Sequence, residues 1–450
     1  MEIVPFVTEA LGDSSYMLVF GDEAALIDPQ RDTRPYLAAA EARGARIVRV
    51  FETHIHNDYI SGGPALAALG ATVTAPTLGK LDFPHEAVSE GDVVRVGSVE
   101  LRAVATPGHT FEHTAYFLSY ADMPHAVFSG GSLLVGAAGR SDLLGADHTA
   151  ELTRLQWESS NRLASMLGPD SAVLPTHGAG SFCSVSGGPS ERTSRLSLEL
   201  ARNPALTSGD FETFRRLQLG MPLPTPAYYP YMAPINRAGD RRAPAPPAPK
   251  RFSTAELASV AASEVPVLDL RARSEYAAAH VPGAIALEEC PSLLGYVSWL
   301  YPFDTPLALV TYDSHQADRV TGDLFRIGYE HVRGYLPFHE WLEQGQESES
   351  LQSVELAGAA DLIARAGAEI LDVRFEKEHL QSPLDGARQL PIDQLRQWAP
   401  TVGNGPFLVV CGSGQRAAIV ASYLEAQGAQ ATPLIRGGAP DLSALADRPA

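Results

Sequence analysis

E-T-H-I-H-N-D-Y-I-S-G-G, Glu52 to Gly63, directly follows the apolar run Ala45 to Phe51. A strand end sets alternate side chains on one face, so His54 and His56 converge as the chain turns into a glycine-bearing loop. Asp58 continues the alternation, and Tyr59 follows it with a phenol. Imidazole nitrogens suit zinc and iron, and such a site gathers three or four ligands from separate segments. Two later segments supply candidates. T-P-G-H-T-F-E-H-T, Thr106 to Thr114, presents His109 after a strand and a Pro-Gly turn, and L-P-T-H-G-A-G, Leu174 to Gly180, presents His177 after another apolar run. Singly, each histidine also reads as a loop cap or a satisfied core residue. Three strand ends that each deliver one into a loop point to a metal site.

The surroundings are those of an α/β protein. Short β-rich runs (Ser15 to Phe20, Glu23 to Ile27, Val93 to Val96, Glu100 to Ala105, Thr114 to Ser119) alternate with helical patterns at Arg34 to Arg43, Gly63 to Leu69 and His148 to Met166. That mixture predicts sheets with helices outside them. The 450 residues allow two to four domains, and 45% hydrophobic with 19% charged residues is ordinary globular composition. A net charge of -19 with no offsetting basic stretch argues against nucleic acid or an anionic membrane as partner. No uninterrupted apolar run is long enough to span a bilayer. The acidic opening M-E-I-V-P-F-V-T-E-A has neither the basic start nor the apolar core of a signal peptide. Cys183, Cys290 and Cys411 are too few and too scattered for a disulfide framework, so a reducing cytoplasm is the expected location.

Met221 to Lys250 is proline-rich and ends R-R-A-P-A-P-P-A-P-K, which favours extended polyproline geometry and predicts a linker, placed at 236–250. Beyond it one unit occurs twice. V-L-D-L-R-A-R-S-E-Y, Val267 to Tyr276, is echoed by I-L-D-V-R-F-E-K-E-H, Ile370 to His379. L-A-L-V-T-Y-D, Leu307 to Asp313, is echoed by P-F-L-V-V-C-G, Pro406 to Gly412. Two copies at this spacing are a duplicated small α/β domain, placed at 251–346 and 354–450. The second copy carries V-V-C-G-S-G-Q-R, Val409 to Arg416, leading from a strand into a helix. Amides of Gly412, Ser413, Gly414, Gln415 and Arg416 at a helix N-terminus form an anion-binding cradle. Cys411 at its base, near Arg416, is placed to act as a thiolate nucleophile. A lone cysteine after a strand is also commonly just a small buried residue, and the loop outline is shared with small cysteine phosphatases. In the first copy Asp313 stands where Cys411 stands in the second. A carboxylate cannot replace a thiolate nucleophile, so the first copy is expected to be structural.

Residues 1–235 resemble the metallo-β-lactamase fold, with T-H-I-H-N-D, T-P-G-H-T and L-P-T-H-G matching its ligand motifs. V-G-A-A-G-R-S-D-L, Val135 to Leu143, is most similar to the persulfide dioxygenase and glyoxalase II branch. D-V-R (Asp372 to Arg374) and R-G-G (Arg436 to Gly438), flanking the cysteine loop, make the C-terminal copy resemble a rhodanese domain. The implied architecture is an αββα sandwich followed by two small doubly wound parallel-sheet rhodanese domains.

The resemblance implies metal ligands among His54, His56, His109, Asp58 and His177, and substrate contacts from Arg140 and Asp142. Two departures matter. The family motif ends in His where Tyr59 stands, and the strand that carries a bridging aspartate reads F-S-G-G, Phe128 to Gly131. Both belong to the second metal position, so one ion is expected, held by His54, His56 and His109 with Asp58 or Asp142 as a further oxygen ligand. Fe(II) is the expected metal and Zn(II) the alternative. The implied activity is oxidation of a low-molecular-weight thiol persulfide to sulfite. The resemblance also implies that Cys411 moves sulfane sulfur among persulfide, sulfite and thiosulfate, and a homodimer of the kind common in the family is the expected assembly. The alternatives are a glyoxalase II-like mononuclear zinc thioester hydrolase and a sulfur-carrier protein with a vestigial metal site. Cys183, close behind the His177 loop, falls near the metal pocket or is simply buried.

Overall fold

A computed structural model of the chain describes residues 1–120, 123–185, 190–239 and 245–446. It divides into two compact units, 1–221 with 228–246, and 222–227 with 247–450.

The first unit is built on two six-stranded sheets. One runs in the order Glu2–Thr8, Asp13–Phe20, Glu23–Ile27, Arg46–Phe51, Thr72–Pro76, Glu86–Val88. The other runs Ser194–Arg195, Ala172–Pro175, Met123–Gly130, Thr114–Tyr120, Val99–Ala105, Val93–Val96. Period-two alternation brings Tyr16, Leu18, Ile27 and Phe51 of one sheet against Leu101, Tyr116, Leu118 and Phe128 of the other, in one buried cluster. The outer face of the first sheet buries Met17, Leu26 and Val50 with Tyr36 of helix Arg34–Glu41 and Leu66 of helix Gly63–Ala68. The outer face of the second buries Val104, Phe117 and Val127 with Leu163 of helix Ala146–Met166. This is the αββα layering the sequence predicts.

The expected extended linker is partly helical. Tyr229–Ala238 forms a helix within the first unit, with Pro230 in its first turn, where a missing N–H costs no intrahelical bond. Asn236 of this helix donates from Nδ2 to the carbonyls of His56 and Tyr59, at 2.9 Å each, and its Oδ1 accepts from Ser61 N at 2.8 Å. A side chain from the proline-rich segment thus clamps the histidine loop. Residues 240–244 of the expected linker lie outside the described residues.

In the second unit both repeats are parallel sheets. The first has four strands in the order Ile285–Ala286, Val267–Asp269, Leu307–Thr311, Val332–Pro337. The second has five, Val354–Glu355, Ala431–Arg436, Phe407–Val410, Glu369–Asp372, Ala387–Gln389. Each copy repeats one buried ion pair. Arg271 clasps Asp269 and donates to Ala279 O at 2.8 Å, and Arg374 clasps Asp372 and donates to Ser382 O at 2.9 Å. At position 313 the carboxylate caps helix Ser314–Arg326, accepting from Gln316 N at 2.9 Å. The acid there serves the helix terminus, a role that asks for no sulfur chemistry.

Removing one partner of a buried pair leaves the other charge uncompensated. Asp372→Ala is expected to destabilise the second unit by about 3–5 kcal/mol, seen as a lower urea midpoint, with Asp269→Ala producing a similar loss.

Candidate metal centre and cysteine cradle

The sheets place four histidines together. His54 and His56 leave strand Arg46–Phe51, His109 follows strand Val99–Ala105, and His177 follows strand Ala172–Pro175. All four are buried, each 1% exposed or less. Ring centroids of His54 lie 4.2 Å from His56, 4.9 Å from His109 and 5.3 Å from His177. A ligand nitrogen from each of His54, His56 and His177 lies within 4.8 Å of the others. His109 joins His177 and Cys183 in a second such group with the same spacing. The sequence reading grouped His54 and His56 with His109; in the structure the threefold group closes through His177, with His109 adjoining it.

Hydrogen bonds fix the ring tautomers. Thr53 Oγ1 gives its proton to Asp28 Oδ2 at 2.8 Å, so it accepts from His54 Nδ1, also at 2.8 Å. The carbonyl of Arg140 can only accept, so His109 Nδ1 donates to it at 2.7 Å. His177 Nδ1 faces Asp13 Oδ1 at 2.9 Å and Asp58 Oδ2 at 3.2 Å. His56 turns Nε2 to Asp28 and Glu52, 3.3 Å each. Each ring therefore spends one nitrogen on a supporting acceptor. His56 Nδ1 and His109 Nε2 are left buried without a partner, and His54 Nε2 faces His177 Nε2 at 3.4 Å. Metal–nitrogen bonds of about 2.0–2.1 Å give a tetrahedron edge of about 3.3–3.4 Å, so His54 and His177 are spaced as two ligands of one transition ion.

Electrostatics point the same way. Burial opposes charge on His177, yet Asp58 and Asp13 push its pKa up to about 10. Burial and the charge on His177 drive His109 down to about 3. Burial pushes Asp13 up to about 8, with Asp58 adding to the rise. Four acids, Asp13, Asp28, Glu52 and Asp58, thus crowd behind two of the imidazoles, the outer support that raises ligand basicity in metal sites. Asp58, predicted as a ligand, stands behind His177. Asp13, Asp28 and Glu52 were missed by the sequence reading. An acid at a strand end is an ordinary turn residue, and nothing local marked these three.

The two departures acquire a physical meaning. Tyr59 stacks on His56, centroids 4.3 Å apart, and its hydroxyl reaches Asp28 O at 3.2 Å and His56 Nε2 at 3.1 Å. A side chain at Gly131 would place Cβ 2.3 Å from His109 Cδ2, so the imidazole fills the room a bridging carboxylate needs. His113 is spent on structure: its Nε2 accepts from Gly131 N at 2.8 Å, and its Nδ1 meets Thr106 Oγ1 at 2.8 Å. Arg140 is buried and faces inward, bonded to Asp142 at 2.9 and 2.6 Å and to Phe182 O at 3.2 Å. Asp142 is held in that pair, outside the groups of converging ligand atoms.

In the second unit, strand Phe407–Val410 ends at Cys411, buried at 1% exposure, and helix Gln415–Glu425 starts four residues on. Gly414 N donates to Cys411 Sγ at 3.1 Å. Gly414 has φ +91°, and a Cβ there would lie 2.4 Å from Ile435 O, so the turn requires glycine. Gly412 and Ser413 form the exposed rim, and Gln415 and Arg416 are half-buried on the helix. Arg416 pairs with Glu378, NH2 to Oε1 at 2.7 Å, and lies 4.7 Å over the Phe375 ring. Glu378, from E-K-E-H, is a partner the sequence reading did not name.

Comparison with known proteins agrees with this architecture. The profile of the metallo-beta-lactamase superfamily matches residues 9–204, and that of the rhodanese-like domain matches residues 356–444. The hydroxyacylglutathione hydrolase of Acidiphilium cryptum is 31% identical over 222 residues, 45% of this chain and 89% of that protein. That of Cereibacter sphaeroides is 31% identical over 213 residues, 42% and 79%. The crystal structure of a metallo-beta-lactamase from Staphylococcus aureus superposes with a TM-score of 0.66 at 27% identity, covering 75% of this chain and 98% of that one. With its histidine cage on an αββα sandwich and its cysteine cradle on a parallel sheet, the chain belongs to the metallo-β-lactamase superfamily, in the persulfide dioxygenase and glyoxalase II branch fused to rhodanese.

Proposed function

We propose that the chain oxidises a low-molecular-weight thiol persulfide to sulfite at a single-metal centre and transfers sulfane sulfur at Cys411. The observation that carries this reading is the displaced carboxylate: the His109 ring occupies the space beside Gly131, which leaves a cage for one ion in a chain that also bears a sulfur-transfer cysteine. His54, His56 and His177, with His109 adjoining, would hold the ion. When bound, Fe(II) supplies the affinity for O2 and for a soft sulfur ligand that the oxidation requires. The balanced conversion is RSSH + O2 + H2O to RSH + sulfite + 2 H⁺. Asp13 and Asp58 orient His177 and neutralise charge there, while Asp28 and Glu52 do the same for His56. Tyr59 closes the wall on that side and excludes water.

At the second centre, Cys411 thiolate attacks the outer sulfur of thiosulfate, releases sulfite and becomes a persulfide. A thiol then takes that sulfur, and the reverse order makes thiosulfate from persulfide and sulfite. Gly414 N supports the cysteine sulfur, and Arg416, restrained by Glu378, lies beside Gly412 where the donor's oxygens would sit. Three free cysteines and the sulfur substrates favour a reducing cytoplasm as its location. Likeness to hydroxyacylglutathione hydrolases favours a second reading, thioester hydrolysis with zinc. The filled space at Gly131 counts against its two-ion form.

Elemental analysis separates the readings: about one iron per chain and oxygen uptake with glutathione persulfide support the first, zinc with thioesterase activity the second, and negligible metal a sulfur carrier only. Cys411→Ser is expected to abolish sulfur transfer from thiosulfate to cyanide while oxygen uptake continues; loss of both would contradict two separate centres. Gly131→Asp is expected to lower metal occupancy, since the new side chain displaces His109, and to cost about 1–3 kcal/mol as overpacking. Two ions per chain in that variant would overturn the single-ion assignment.

A further inference from the structure

Cys183 is buried, and among the described residues its sulfur stands within 4.8 Å of a nitrogen of His109 and one of His177. His109 Nε2 has no hydrogen-bond partner, although the ring is buried and its other nitrogen is fixed by the Arg140 carbonyl. An imidazole lone pair left bare in a closed interior costs desolvation energy unless a cation meets it. One residue serves both neighbours. Arg140 accepts from His109 through its carbonyl, and its N–H donates to Cys183 O at 2.8 Å. Its guanidinium holds Phe182 O at 3.2 Å, and Gly139 bridges to Ser184. The loop that aims His109 therefore also fixes the backbone of Cys183. Across the ring, Gly131 has no side chain to offer and no space for one.

We propose that Cys183 is a metal ligand, its thiolate supplying with His109 and His177 the anionic donor that position 131 lacks. A carboxylate and a thiolate each bring one negative charge, so the exchange preserves the charge of the ligand set and softens it toward zinc and iron. Binding replaces the thiol proton: Cys–SH and M²⁺ give Cys–S–M⁺ and H⁺, the proton leaving to solvent. Tyr229, from the helix that carries Asn236, brings its hydroxyl to 3.4 Å from Sγ and donates to the thiolate there. This assignment rests on the metal centre proposed above and deepens it by naming a sulfur donor.

The test uses the full chain, freed of metal by chelation and loaded with cobalt(II) or zinc alone. Cobalt protein is expected to show a near-ultraviolet sulfur-to-cobalt charge-transfer band that Cys183→Ser removes and Cys290→Ser keeps. X-ray absorption at the zinc edge of the unmodified chain is expected to show one sulfur scatterer at about 2.3 Å, which needs no variant to fold. Cobalt and zinc bound by nitrogen and oxygen alone would overturn the sulfur assignment and leave the histidine centre standing. No retained metal in the unmodified chain would overturn the histidine centre itself, and this assignment with it.

Discussion

Asp28 holds the metal end of the first unit together. Its Oδ1 accepts from Thr53 N at 2.7 Å, its Oδ2 accepts from Thr53 Oγ1 and Thr176 Oγ1, and it faces His56 Nε2 at 3.3 Å. One carboxylate thereby ties the ends of three strands, Glu23–Ile27, Arg46–Phe51 and Ala172–Pro175, which come from both sheets. Asp28 takes φ +50°, a left-handed backbone that most side chains avoid and that here turns the carboxylate into the cluster. Through Thr53 it sets the His54 tautomer, and directly it sets that of His56. The geometry of the cage is a consequence of this anchoring.

Much of the fold was legible because its signals are local. Alternating apolar runs mark strands such as Glu23–Ile27 and Val93–Val96, which appear where their pattern places them. The duplicated unit was visible because the same Asp-x-Arg clasp recurs at Asp269 with Arg271 and at Asp372 with Arg374. The candidate histidines were legible from their place after strands. Their partition was not, because whether His109 or His177 closes the threefold group depends on the distance between loops of different strands. Asp13 was invisible for the same reason: it meets His177 across 164 positions of sequence. Composition misled at Tyr229–Ala238: Pro230 lies in the first turn, where a helix tolerates it, Pro234 sits inside the helix at the loss of a bond, and tertiary contacts through Asn236 offset that loss.

The two repeats show how one loop is converted from chemistry to support. Both copies lead from a strand straight into a helix. At Cys411 the turn uses Gly414 in a left-handed conformation, which curls an amide onto the sulfur. At Asp313 the carboxylate instead caps the helix, using its acceptor on the Gln316 amide. Asp313 gives one oxygen to its own helix terminus and has no sulfur to offer, so the first copy retains the fold without the nucleophile. Within the second unit that copy also buttresses its twin, Arg273 donating to Ile435 O at 3.1 Å and to Ser413 O at 3.0 Å. The second of these carbonyls belongs to the rim of the cysteine cradle, so the acid-bearing repeat helps fix the loop that carries the cysteine.

The metal centre looks impoverished from its sequence, since Tyr59 and Gly131 replace two expected ligands. The structure gives a different balance. Asp13, Asp28, Glu52 and Asp58 lie together in the interior, and burying an uncompensated carboxylate costs several kcal/mol. Hydrogen bonds from Thr53 and Thr176 relieve Asp28, and charged His56 and His177 offset part of the rest. Asp58 still has buried oxygens without hydrogen-bond partners, as do Asp13 and Glu52. An interior of this sign gains more from a divalent ion than from two protons, because the ion also meets the bare nitrogens of His56 and His109. Loss of a second ion's ligands therefore leaves the demand for the first intact, and the acids behind the imidazoles are the physical reason a cation belongs there.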